Sequence, residues 1–334
     1  MTIGEGDKVF VIPDGKGGYL AQKAGTISEG DKCLLIPDSK GKYHLARLST
    51  PSLGDKCITI PVDINEMLVW KDYSLFLMTW PYPIFNPPST LTITKNLIFS
   101  PGDSHVLAIN PGGSVIAWGM NYWGQCDVPE GLVAVEVSGG RTHSLALSSG
   151  GSVTAWGTNS DGQLDVPEGL VATKISAGLN YSSSIKEDGS VVVWGSGPCD
   201  VPEGLVATDI SAGAGHMLAL SSDGSVTAWG ANYWGQCDVP EGLVATKISA
   251  GYIHNLAITP SGDVVGWGAN EWGESTPPAG LFSEVSAGYD TSVGIKTNGE
   301  IIEWGRPIPG MPTGYKGIKM YASIGRFVIA LLTK

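Results

Sequence analysis

Helical periodicity is missing from this chain. After residue 64 no stretch spaces its apolar residues at three and four, which excludes helical bundles and helical solenoids. Cysteine is scarce, with five in 334 residues, and that odd number argues against a disulfide framework. Cys126 and Cys237 stand where another repeat has Leu164, and are expected to act as small buried apolar residues; Cys33 and Cys57 stand where Val9 does. Basic charge is short as well: 20 Lys and Arg face 32 Asp and Glu, for a net charge of −12. Residues 1–63 hold eight basic and eight acidic side chains, so the acidic excess falls on the rest. A surface of that sign repels phosphates and argues against nucleic acid as a partner. Nor is there a long hydrophobic run. The most apolar stretch, Met67 to Phe85, contains Lys71, Asp72 and two prolines, so no membrane insertion is expected. The opening MTIGEGDK has no apolar core segment, and the expectation is synthesis without a signal peptide, in a reducing cytoplasm.

What the chain does have is repetition. A Trp-Gly pair recurs at Trp118, Trp156, Trp194, Trp229, Trp267 and Trp304, spaced by 35 to 38 residues. The cleanest copy reads ISAGAGHMLALSSDGSVTAWG followed by ANYWGQCDVPEGLVATKISAG. Apolar residues alternate over short runs (His216–Leu220, Ser225–Trp229) bounded by turns such as Ser222-Asp223-Gly224, which reads as antiparallel strands in hairpins. A fixed period of this length built of short strands predicts propeller blades. The tryptophan should fill the wedge between neighbouring sheets, and the following glycine should let the backbone turn closely. The SAGxxHxLAL half appears seven times if Ser100–Ile109 and Ala322–Leu331 are included, whereas Trp-Gly appears six times. The last half-unit therefore needs a partner from upstream, and Glu66–Trp70 with Leu91–Thr94 is the candidate. The expected fold is all-β: a seven-bladed β-propeller over 64–334, closed by both chain ends, which removes free sheet edges. Before it, Gly6-Asp7-Lys8, Gly30-Asp31-Lys32 and Gly54-Asp55-Lys56 recur at a spacing of 24, each opening a run that ends in proline. Residues 1–62 read as a small all-β module, too short to bury much core alone.

The SAGxxHxLAL, DGSVxAWG and NxxGQ segments, over roughly residues 95–334, resemble the regulator-of-chromosome-condensation repeat family. Within that family the compact repeat and the DVPEGL connector are most similar to bacterial propellers that include a β-lactamase-inhibiting protein. The resemblance implies a propeller. The N-terminal module loosely resembles N-terminal modules of tail proteins of prokaryotic viruses, which implies anchoring to a larger assembly.

The candidate chemistry divides by repeat position. His105, His143, His216 and His254 share one position, occupied elsewhere by Tyr181, Thr291 and Phe327. Equivalent positions on successive blades are too far apart to converge on one ion, so packing or strand bridging is expected and no metal site. The pairs Asp127/Glu130, Asp165/Glu168, Asp200/Glu203 and Asp238/Glu241 lack the asymmetry a hydrolase needs and read as turns. No serine or cysteine nucleophile motif is present, Asp14–Gly18 has no following helix to make a phosphate loop, and no cofactor is implied. Three blades break the Asp-Val-Pro-Glu-Gly pattern, with Thr276-Pro277-Pro278-Ala279, Arg306-Pro307-Ile308-Pro309 and Asn86-Pro87-Pro88-Ser89, and these adjoin one another under circular closure. One arc of the ring is then acidic, and the opposite arc carries Arg306, Lys316, Lys319 and Arg326 with Trp80, Tyr82, Phe85 and Trp272.

The residues that vary between matching repeats are the least constrained by the scaffold. They are Tyr122, Trp123, Tyr233, Trp234 and Trp272 after Trp-Gly, and Arg141, Asn180, Tyr252 and Tyr289 in the loops before the histidine position. The aromatic rings either cover the blade below or offer rigid contact area to a partner. Together with Arg306 and Arg326 these are the partner-binding candidates. The expected function is non-enzymatic binding and scaffolding: propeller loops recognise a protein, and residues 1–62 anchor the chain to an assembly such as a viral tail or capsid, or associate with copies of themselves. Two alternatives stand beside it, an enzyme inhibitor of the β-lactamase-inhibitor type and a carbohydrate-binding propeller.

Overall fold

The computed structural model describes residues 7–13, 19–26, 33–37, 43–47, 65–69, 74–79, 91, 97–307, 316–323 and 327–333. Among them there is no helix, and so none long and apolar enough to cross a membrane. Six antiparallel three-stranded sheets follow one another along the chain, each in the order first–second–third strand. Blade 1 consists of Ile98–Pro101, His105–Ile109 and Val115–Gly119, and blade 2 of Glu136–Gly139, His143–Leu147 and Val153–Gly157. Blades 3 to 6 repeat the plan, starting at Ala172, Asp209, Lys247 and Phe282.

The seventh sheet joins both ends of the chain. Lys316–Ala322 pairs with Phe327–Thr333, which pairs with Ser74–Thr79, which pairs with Asn65–Val69. The upstream partner is thus Ser74–Thr79, and the expected Glu66–Trp70 segment lies one strand further out. A strand needs an adjacent free edge, and the hairpin puts the more C-terminal of its two arms against the C-terminal strand. Of the other expected segment, Leu91 is buried in the core, while 92–94 lie outside the described residues. Toward the N-terminus two hairpins stand where the repeat predicts them, Asp7–Pro13 with Tyr19–Thr26 and Cys33–Pro37 with Tyr43–Arg47. The third copy, around Gly54-Asp55-Lys56, lies outside the described residues.

First strands of neighbouring sheets touch one another all the way round, from blade 1 to blade 7 and back to blade 1, and so line the centre of a closed ring. Second strands are buried along their whole length in blades 1, 2, 4 and 5, and in blades 3 and 6 up to the terminal Lys186 and Lys296. Each tryptophan enters the wedge behind its own blade, as the repeat predicts. Trp156 packs with Leu107 and Ile109 of blade 1, and Trp118 packs with Ile329 of blade 7. In blades 2 to 6 the indole N–H donates to a carbonyl of the preceding connector: Trp156 to Gln125 (3.0 Å), Trp194 to Gln163 (3.0 Å), Trp229 to Pro198 (2.9 Å), Trp267 to Gln236 (3.1 Å) and Trp304 to Glu274 (2.9 Å). The glycine that follows is left-handed. At Gly157 (φ 106°) a side chain would also meet the Thr142 carbonyl at 2.5 Å.

Serine hydroxyls stitch the first strands together. Ser100 accepts the N–H of Gly139, Ser138 that of Ala177, Ser176 that of Ala212, Ser211 that of Ala250, Ser249 that of Ala287 and Ser286 that of Ala322. At the seam the pattern stops on both sides at once. Blade 7 has Tyr321 in place of the serine, and blade 1 has Pro101, which has no N–H to donate. There the Ser323 hydroxyl donates to the Gly102 carbonyl instead.

The histidine position bridges blades as expected. Nε2 of His105 lies 2.9 Å from Ser144 Oγ, that of His143 3.1 Å from Ser182 Oγ, and that of His254 2.8 Å from Ser292 Oγ. Each of these hydroxyls donates onward to a connector carbonyl, so each imidazole must be the Nε2–H donor. His216 reaches Asn255 Oδ1 at 2.7 Å in the same way, and Tyr181 donates to the Gly213 and His216 carbonyls. The ring lies across the glycine three residues before it. A Cβ on Gly140 would stand 2.2 Å from His143 Cε1 and 2.7 Å from the Gly178 carbonyl. Gly140→Ala is therefore expected to cost about 1–3 kcal/mol through overpacking. Gly215→Ala, where a Cβ meets only Ala231 at 3.6 Å, should leave Tm unchanged; thermal unfolding of the two variants is the check.

Candidate functional site

Among the described residues, the loops between first and second strands of blades 1 to 6 and the connectors leaving the third strands of blades 1 to 5 emerge on one face of the ring. The pairing of His143 with Gly157 and of His254 with Gly268 puts both loop types at the same sheet end. The inner loops hydrogen-bond in sequence round the centre. The N–H of Asp103 donates to Gly140 O (3.0 Å), Arg141 to Leu179 O (3.2 Å), Ala214 to Tyr252 O (3.3 Å) and Tyr252 to Gly288 O (2.8 Å).

Different side chains converge at this mouth. The Tyr252 and Tyr289 rings stack with centroids 4.2 Å apart. Burial pushes the Asp103 carboxyl up, and the Arg141 guanidinium pulls it partly back. The Tyr252 phenol is held above its usual range by burial first and by Tyr289 second, with Arg141 opposing and Asp103 reinforcing. Residues of blades 1, 2, 5 and 6 thus act on one another across the mouth. Arg141, Tyr252 and Tyr289 were candidates from sequence. Asp103 was not, because its repeat is the most degenerate; its loop position, equivalent to Arg141, is the signal that finds it. Asn180 sits one position later, and its carbonyl accepts the Ser196 N–H.

The connectors form the outer part of the same face. Tyr122 and Tyr233 are 86% and 92% exposed, and Trp123, Trp234 and Trp272 are 60%, 57% and 49% exposed. The rings do not cover the blade below; they project outward. The loop beneath holds itself. Asn121 donates to Asp127 Oδ1 (2.7 Å) and accepts the Cys126 N–H (2.8 Å), while Gln125 Oε1 accepts the Trp123 N–H (3.0 Å). The same three bonds recur in the connectors of Asn159 and Asn232. The repeated aspartates of three connectors are therefore structural partners of asparagine, consistent with the turn reading. Cys126 and Cys237 are half-buried, and their thiols donate to the Met120 and Ala231 carbonyls, so they are more polar in role than the sequence suggested. Burial pushes the Cys126 thiol up to about 12. Among the described residues no group of His, Cys, Asp or Glu is arranged to hold a metal ion.

Arg306 and Trp272 come together as the arc reading suggested: the guanidinium lies over the indole at 5.0 Å and pairs with Asp290 at 3.2 Å. Lys319 stands in the same arc, on blade 7. It lies on the innermost strand of blade 7, because its repeat position belongs to the channel wall, whereas Lys316 is exposed at the start of that strand. Arg326, Trp80, Tyr82 and Phe85 lie outside the described residues.

Lys319 belongs to a pattern that sequence reading missed. At one first-strand position, blades 2 to 7 carry Glu136, Lys174, Asp209, Lys247, Glu284 and Lys319, alternating in sign. Lys174 pairs with Asp209 at 3.3 Å and Lys247 with Glu284 at 2.6 Å. An odd-membered ring cannot alternate throughout, and blade 1 breaks the conflict with the uncharged Ile98. Burial pushes the Glu136 carboxyl up to about 7, and Lys174 is the first influence holding it down. Lys174→Met should therefore raise the Glu136 pKa further, which carboxyl-detected NMR titration would read directly.

A ring of Trp-Gly repeat sheets with a varied loop face defines the class: a repeat propeller. Segments 134–163, 207–236 and 245–273 match the Regulator of chromosome condensation (RCC1) repeat, and the fold is that of an RCC1-type repeat propeller. No curated protein matches the sequence. Among solved structures, Prp20p from Saccharomyces cerevisiae, described with its binding properties to Gsp1p and histones, is similar with TM-score 0.61 at 21% identity, over 71% of this chain and 82% of that one. The CRINKLY WD40 ectodomain of the Arabidopsis thaliana receptor kinase ACR4 gives 0.61 at 23%, over 71% and 91%. Human WBSCR16 gives 0.60 at 16%, over 73% and 88%. At these identities the likeness is one of fold.

Proposed function

We propose that this chain is a non-enzymatic binding and scaffold protein whose loop face docks a protein partner, while residues 1–62 attach it to a larger assembly such as a viral tail or capsid. The observation that carries the first half is the set of exposed aromatics, Tyr122, Trp123, Tyr233, Trp234 and Trp272, on one face of a scaffold that does not need them. The converging Asp103, Arg141, Tyr252 and Tyr289 give the centre of that face polar specificity. Protein binding by Prp20p, which shares the fold, supports this reading. The anchor half rests on the balanced charge and separate 24-residue repeat of residues 1–62.

Isolation from the source under gentle conditions, followed by native mass measurement, tests both halves. Recovery in a large particle at fixed copy number, lost on deletion of residues 1–62, is expected. A free monomer with no co-purifying protein would overturn the reading.

A further inference from the structure

The three outer tryptophans occupy the same place in their connectors, yet only one is capped. Trp272 is covered by Arg306, the residue after the Trp-Gly of the next blade, and the guanidinium is balanced by Asp290. The residues equivalent to Arg306 beyond Trp123 and Trp234 are Thr158 and Ala269. They make the same backbone bond, to Thr142 and Ile253, but bring no cation. The equivalents of Asp290, Thr142 and Ile253, bring no carboxylate.

The connector chemistry changes in the opposite direction. Where the chain supplies its own arginine, the connector residue bonded to the asparagine is the neutral Thr276. Where it does not, that residue is an exposed aspartate, Asp127 or Asp238, whose second oxygen stands against Gly124 or Gly235, the residue that follows the tryptophan in the chain. Each uncapped indole thus stands in a short loop that also carries an exposed carboxylate and an exposed tyrosine, Tyr122 or Tyr233. The two loops are identical from Asn121 to Ala134 and from Asn232 to Ala245, and they stand three blades apart in a ring of seven.

We propose that Trp123 with Asp127 and Trp234 with Asp238 are two equivalent docking sites for arginine side chains of a basic protein segment, each completed by the partner as Trp272 is completed by Arg306. This deepens the docking reading above and rests on it. A planar guanidinium can stack on the indole while its edge donates to the carboxylate; an ammonium offers only a point charge. The acidic excess of the chain favours such a segment electrostatically. Single contacts of this kind are weak, and two on one face bind a segment carrying two arginines far more tightly than either alone.

The test uses the full chain and synthetic peptides with two arginines joined by flexible linkers of graded length, together with lysine and citrulline counterparts. Calorimetry and tryptophan fluorescence read the binding. Expected are affinity for the arginine peptide, a loss of roughly tenfold or more with citrulline, and a similar loss for Trp123→Ala or Trp234→Ala. Thermal unfolding should be unchanged in both variants, since the rings are exposed. Thr158→Arg and Ala269→Arg, which place a guanidinium where Arg306 stands, should close the sites from within and abolish peptide binding. Equal binding of the citrulline peptide, or binding indifferent to both tryptophan changes, would overturn the proposal. Glycan binding through the same tryptophans without arginine binding would also overturn it. A native partner retained in full by the Trp123→Ala/Trp234→Ala chain would remove these sites and leave the scaffold reading intact.

Discussion

A chain starting at residue 80 is expected to lose its cooperative unfolding transition, whereas one lacking only residues 1–62 keeps it. The shorter chain forfeits Ser74–Thr79, which pairs with six residues of the C-terminal strand, from Phe327 to Leu332. That strand is not a surface appendage. Val328 and Ile329 are fully buried, and Ile329 packs with Leu91, Leu97, Phe99 and Trp118 in the wedge between blades 7 and 1. Emptying such a wedge removes several large side chains' worth of burial at about 2–5 kcal/mol each. The sum is comparable to the whole stability of a typical domain. The seam has little to replace it, because Pro101 and Tyr321 have already removed the stitch that joins other neighbours. Calorimetry on the two truncations decides the matter: a sharp transition within a few degrees of the full chain for 80–334 would mean that both ends do not close the ring together.

Acid should destabilise the propeller steeply between pH 6.5 and pH 4. His105 and His254 are held neutral by burial, their pKa values lowered to about 3, and His143 is lowered to about 4; His216 is lowered too, mainly by burial. In the unfolded chain each histidine titrates near its usual 6.5. Between the two values the unfolded state binds protons that the folded state refuses, so stability is full above pH 6.5 and falls as pH drops toward the folded values. Each fully developed shift is worth on the order of 3 kcal/mol at pH 4. Glu136 works the other way. Its raised pKa of about 7 contributes stability that is present at low pH and lost as pH rises through 7, offsetting at most about one histidine. Equilibrium unfolding across pH 4–7 should show the slope, and replacing the four histidines by Phe, as blade 7 does at Phe327, should flatten it. An unchanged slope in that variant would assign the acid sensitivity elsewhere.

The scaffold was legible because its determinants are local and repeated. Alternating runs of five residues between Asp-Gly turns specify hairpins whatever surrounds them. A period near 37 with seven histidine-half copies and six Trp-Gly pairs counts the blades and reveals the missing strand. The identity of that strand was less legible: the sequence pointed to Glu66–Trp70, and only edge adjacency in the folded sheet selects Ser74–Thr79. The channel charges were visible letter by letter, yet their alternation means nothing until the six strands stand side by side.

Sequence by itself determined the all-β class, the seven-fold count and a last sheet drawn from both chain ends, because each follows from short-range pattern and arithmetic. Tertiary structure decided the rest. It brought Asp103, Arg141, Tyr252 and Tyr289 from four blades to one mouth, set Lys319 on the innermost strand of blade 7, and capped Trp272 with Arg306 while leaving Trp123 and Trp234 open. These are relations between residues far apart in sequence, and only ring closure sets the distances over which charges and rings act on one another.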